Sequence, residues 1–196
     1  MSFTKKYNNF ISNNFLFNSN LFENTMLNKY NEENENTTNY KKSEETKNQE
    51  RLDYLETIFS PLFISIVKSE DFEFGQKSLS IKLVEDELKI NKLATQSWLN
   101  SIYIKSFGGD DTLLIGILRV IEYLNEDLIH PFGITVALAS LSHANNEVKE
   151  LGVRIFENNC NYSNYSTLKQ VKVETVWLQE YINRVIEDFK VELCLS

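Results

Sequence analysis

Between Leu113 and Leu124 the chain carries Leu113, Leu114, Ile115, Ile117, Leu118, Val120, Ile121 and Leu124. Wound into a helix, these residues reach every side of it, and a helix apolar on every side has to be buried on every side. Whatever fold the chain adopts must therefore wrap a helix over Thr112–Asn125 in other elements. Those elements read as helices too. Two prolines and six glycines in 196 residues are too few for the frequent turns of a β-sandwich. The expected class is all-α.

Upstream, Leu52, Leu55, Ile58, Phe59, Leu62, Phe63, Ile66 and Val67 recur at three- and four-residue spacing, the signature of a broad apolar helix face. Pro61 interrupts it, because an interior proline removes a hydrogen bond and clashes with the preceding turn. A kink, or two helices meeting at Ser60-Pro61, is expected. Further helices are predicted over Glu73–Lys89 and Lys92–Phe107, the second stopped by Gly108-Gly109 in the left-handed conformation. Asp110 and Asp111 then supply an N-cap and a favourable negative charge to the central helix. Pro131 suits the first turn of a helix reaching Ser142, and Asn145 or Asn146 caps the next. Asn159–Ser166 reads as polar loop, Thr167–Lys172 as a short helix and Glu174–Glu192 as a long last one. Its stripe runs through Val176, Trp177, Leu178, Tyr181, Ile182, Val185, Ile186 and Phe189.

Residues 1–50 differ in kind. They are Asn-rich, and asparagine competes for its own backbone, so such tracts bury too little apolar area to offset chain entropy. The expected organisation is a largely disordered tail over 1–50, with a short amphipathic segment in its first thirty residues, and one helical domain over 51–196. The net charge of -8 is shared by the body: fourteen Lys or Arg face twenty-one acids after residue 50. A basic stripe of the kind that binds phosphates is missing, so neither nucleic acid nor an anionic membrane is expected as a partner. Cys160 and Cys194 stand outside any zinc spacing and read as free thiols in a reducing compartment. With no long apolar run, the expected location is the cytoplasm.

Three helices share a short string: Arg119-Val120-Ile121-Glu122, Arg154-Ile155-Phe156-Glu157 and Arg184-Val185-Ile186-Glu187. Setting the first two in register also lays Asp110-Asp111 over Asn145-Asn146 and Leu113 over Val148. Such periods suggest stacked helix pairs. Within this region Ala137-Leu138-Ala139-Ser140-Leu141, the turn at Asn145-Asn146, the opening pair Val148-Lys149 and then Leu151, Ile155 and Phe156 resemble a HEAT-repeat unit over Val136–Asn158. The turn carries Asn145 where that family usually has Asp. The resemblance implies a short right-handed α-α stack of six to eight helices, an architecture used to bind other proteins.

No catalytic, cofactor-binding or metal-binding set is expected. His130 and His143 fall at turns and read as structural. The acid pairs Asp110-Asp111 and Glu126-Asp127 invite a cation or acid-base reading, but their place at helix boundaries explains them as caps. Trp98 and Trp177 fall on apolar stripes and are expected in the core. Tyr162 and Tyr165, in a polar loop, are the aromatics expected to face a partner. The candidate partner-binding set is therefore Tyr162, Tyr165, Asp110, Asp111, Glu126 and Asp127. The leading expectation is a non-enzymatic interaction module, an adaptor or regulatory binding protein, with another protein as partner; the acidic body favours a basic one. The alternative is an enzyme or small-ligand binder with an acidic pocket between helices. A self-assembling structural subunit is the third.

Overall fold

The computed structural model describes residues 43–70 and 77–195. Every regular element among them is helical. They are α1 (Glu44–Tyr54), a π-helical turn (Leu55–Phe59), α2 (Ser60–Ser69), α3 (Leu79–Ile90), α4 (Lys92–Phe107) and α5 (Asp111–Tyr123). After these come α6 (Glu126–Ile129), α7 (Phe132–Ser140), α8 (Asn146–Glu157), α9 (Tyr162–Leu168) and α10 (Val176–Glu192). No helix among the described residues is long and apolar enough to cross a membrane.

The domain begins earlier than composition suggested. α1 starts at Glu44, seven residues before the expected boundary at 51, and buries none of its residues fully. It is held by polar contacts: the Asn91 amide donates to Asn48 at 2.8 Å, and Arg51 pairs with the buried Glu87. Burial pushes the Glu87 carboxyl up, and Arg51 opposes the shift. Glu44 and Glu45 in its first turn and Arg51 in its last suit the helix dipole. The amphipathic segment and the rest of the tail expected over residues 1–42 lie outside the described residues.

Pro61 is accommodated as its chemistry requires. The backbone widens into the π turn just before it, so the proline sits in the first turn of α2, where its missing N–H has no partner to lose. α3 begins at Leu79, later than the expected Glu73, with Ser78 as N-cap and the Glu70 carboxylate accepting from the Leu79 amide at 2.6 Å. At the end of α4 the left-handed glycine is not used: Gly108 has φ -107° and accommodates the turn without it.

α5 is the hub. Leu114, Ile117, Leu118, Val120 and Ile121 are fully buried, with α2, α3, α4 and α8 all packed on it. Gly116 makes the α2 contact possible, since a Cβ there would lie 2.1 Å from Val67 Cγ1. Beside the hub Phe59 and Phe63 meet Trp98 edge-on, with centroids 5.0 and 5.1 Å apart, and the indole N–H donates to Ser60 at 2.6 Å.

Side-chain contacts between successive helices join residues about 35 positions apart. Gln96 donates to the Leu128 carbonyl, Tyr103 bonds with Ser140 and His143 meets the Phe107 carbonyl, so α4 and the α6–α7 segment run in the same direction. Asn145 donates to Asp111 and Asn158 to the Glu122 carbonyl, so α5 and α8 do the same. α7 turns back onto α8 through a tight approach: a Cβ on Gly152 would lie 2.8 Å from the Ala137 carbonyl. The result is two layers, α4 with α7 in one and α5 with α8 and then α10 in the other.

Two expectations near the C-terminus are corrected. Residues 162–168 form α9 where loop was expected, because Asn161 caps it by accepting from the Asn164 amide. The short helix expected over 167–172 accordingly ends at Leu168.

Candidate interaction face on α5, α8 and α10

Parallel packing of α5 and α8 stacks their polar residues into rows. Arg119 on α5 reaches Glu147 on α8 at 2.7 Å. Arg154, one repeat later, reaches Glu150 at 2.7 Å along its own helix and Glu122 on α5 at 4.0 Å. Glu122 is largely covered, and burial pushes its carboxyl above the usual range while Arg154 and Asn158 oppose the shift. α10 continues the row: the Tyr181 hydroxyl donates to Glu157, and the Arg184 guanidinium lies 5.6 Å from the Tyr181 ring. Burial, reinforced by the Glu157 carboxylate, pushes the Tyr181 phenol far up, so the hydroxyl stays a donor.

Against this ladder lies an open groove of about 520 Å³. Arg119, Glu147, Glu150 and Arg154 line it, with Leu151 at its base and Trp177 on the α10 side. Trp177 is 38% exposed, which corrects its expected place in the core. The fully buried stripe of α10 is Leu178, Ile182, Val185 and Phe189; Trp177 lies one residue off that phase and turns to the groove. Trp98, in contrast, is buried as expected.

The six residues expected at a binding site are scattered. Asp110 caps α5 by accepting from the Leu113 amide at 3.0 Å and pairs with Lys68 at 2.6 Å. That lysine and the amide hold its carboxyl below the usual range. Asp111 accepts from Asn145 at 2.9 Å and lies 3.8 Å from His143. Glu126 and Asp127 sit beyond the other end of α5, about 20 Å away by helix rise. Glu126 accepts from Asn161 at 2.8 and 2.9 Å, and the Asp127 carbonyl accepts from Lys92 at 2.5 Å. Tyr162, next to Asn161, is 69% exposed as expected. Tyr165 is a correction: at 9% exposure it packs inward from α9 with Lys169 Nζ 5.2 Å from its ring.

The two histidines differ: His130 is exposed just after α6 and its backbone N–H donates to the Glu126 carbonyl. His143 is buried, its Nδ1 accepting from the Asn145 amide at 3.0 Å and its Nε2 lying 2.9 Å from the Phe107 carbonyl. Among the described residues no group of three or more His, Cys, Asp or Glu side chains has the geometry to hold a metal ion. Comparison with models of known protein families, with curated proteins and with solved structures finds no significant match to this chain.

Proposed function

We propose that this chain is a non-enzymatic protein-interaction module, an adaptor or regulatory binding protein built on a HEAT-like helical stack, and that its α5–α8–α10 face receives a segment of another protein. The observation that carries this reading is the exposed Trp177 beside a groove edged by Arg119, Arg154, Glu147 and Glu150. A partly exposed Trp flanked by arginines is the composition of interface hot spots, where a large rigid ring supplies apolar contact and charges set register. The paired charges are exposed enough to exchange partners at little cost, because surface ion pairs contribute only about 0–1 kcal/mol each. With five acids, Asp111, Glu122, Glu147, Glu150 and Glu157, against Arg119, Lys149 and Arg154 along α5 and α8, and a chain charge of -8, the favoured segment carries Lys or Arg.

Affinity capture from native extract tests it. The immobilised chain should retain a defined protein, and Trp177→Ala should lose it while circular dichroism stays helical. Retention by Trp177→Ala at the level of the unaltered chain would remove this face from the account; no retained protein at all would count against the whole reading.

A further inference from the structure

The outer side of α4 and α7 differs from the rest of the surface. Residues 88–109 contain no acid and residues 128–146 no Asp, Glu, Lys or Arg, in a chain with 28 acids. The two helices share one seam. On α4 the exposed Ser97 and Ile104 each follow a residue that reaches across it, Gln96 and Tyr103; on α7 the exposed Thr135 precedes Val136, whose carbonyl meets Tyr103. In parallel helices these opposite rotations bring both sets out on the same side. Leu93 and Ile104 stand there 60% and 61% exposed, with Ser97, Asn100 and Thr135 beside them, and Leu138, 38% exposed, lies at the outer edge of α7, two residues from both Val136 and Ser140.

We propose that this face is a two-fold interface between two copies of this chain. Charge selects the occupant first. Two molecules each carrying -8 repel one another, and they approach at lower electrostatic cost where neither presents a carboxylate and the exposed Lys92 and Lys105 of α4 flank the apolar residues. Chemistry selects it second. In a two-fold contact the same patch meets itself, so every side chain must tolerate its own kind as neighbour. Hydroxyls and amides both donate and accept, so Ser97, Asn100 and Thr135 can bond their symmetry mates in a way that a carboxylate or an ammonium group cannot. The aliphatic side chains simply bury against each other.

Area sets the strength. α4 is 16 residues long, or about 24 Å. Two helices spaced ~10 Å apart present a strip roughly 20 Å wide. Because α7 has only 9 residues, or about 14 Å, the strip offers roughly 380 Å² per copy, or ~750 Å² in total, which is below the ~1,000 Å² of a stable complex and corresponds to a weak dimer. The dissociation constant should be on the order of 10 μM. None of this depends on the proposed function, which uses the opposite layer.

Sedimentation velocity of the full chain decides the matter. Between about 1 and 200 μM the weight-average mass should climb towards twice the monomer. The double variant Ile104→Glu/Leu138→Glu should stay monomeric over the same range, at least ~10-fold weaker in association, with unchanged helical circular dichroism. Val191→Glu, an exposed change on α10, should dimerise as the unaltered chain does. A chain that is monomeric throughout, as expected if another protein's helix covers this face, would overturn the proposal. So would a dimer that survives the double variant, or one that Val191→Glu abolishes.

Discussion

The two layers of the stack bury similar residues and expose opposite ones. The outer side of α5, α8 and α10 is laced with Arg119, Glu122, Glu147, Glu150, Arg154 and Glu157 around Trp177, whereas α4 and α7 contain no acid and show Leu93, Ile104 and Leu138 to solvent. Helical period alone does not produce this difference, since both layers obey it. Charge is sorted by layer: acids and arginines lace one side, while the other has no acid on its two helices and exposes aliphatic, hydroxyl and amide side chains flanked by Lys92 and Lys105.

The comparison breaks most readily where the layers touch. Gly152→Ala would set a Cβ 2.8 Å from the Ala137 carbonyl and 3.0 Å from Ser140 Cβ, prising α7 from α8. The loss should be about 1–3 kcal/mol by urea unfolding, after the helix-propensity gain of alanine is set against it. It should weaken both faces together. Tyr103→Phe removes the hydroxyl bonded to Ser140 and to the Val136 carbonyl within the acid-free layer. A loss of about 1 kcal/mol is expected in the same assay, with partner capture by the charged face intact.

Arg154→Met separates binding from stability on the other layer. Its pairs with Glu150 and Glu122 are partly exposed, so unfolding should shift by no more than ~0.5–1 kcal/mol while capture of the partner falls clearly. The smallest effect is a pH slope. Burial raises the Glu122 carboxyl, so the folded chain holds this proton more tightly than the unfolded one. Its contribution to stability is therefore greatest at low pH and declines as pH rises through the raised value. Glu122→Gln removes that slope, so the stability difference, variant minus unaltered chain, should grow between about pH 4 and about pH 7 in urea midpoints.

What could be read from the residues depended on where the stabilising contacts lie. α5 was legible because apolar residues cover most of its circumference and most of them are buried, although one side, with Ile115, Arg119 and Glu122, is only half-buried. The first turns of α1 were not, because Asn48 and Arg51 hold them through partners 43 and 36 residues away, while its apolar contacts, Leu52 and Tyr54, come only at its end. The strings at Arg119 and Arg154 were visible, and α5 and α8 do pack in the register they suggested, Glu122 meeting Asn158 36 positions on. The third string misleads, since Tyr181, only 24 positions on from Glu157, is what meets that glutamate. Trp177 falls within the apolar stripe of α10 yet lies one residue off its buried phase, and Tyr165 sits among polar neighbours that conceal a helix capped by Asn161. Single-residue phase decides exposure, and composition cannot supply it.

Hydrogen–deuterium exchange of the chain with its captured partner tests the central claim most directly. Slowed exchange should concentrate in residues 146–157 and 176–184, with residues 93–104 and 132–140 unchanged. Protection confined to the α4–α7 layer, or spread evenly over both, would contradict the assignment of partner binding to the charged face.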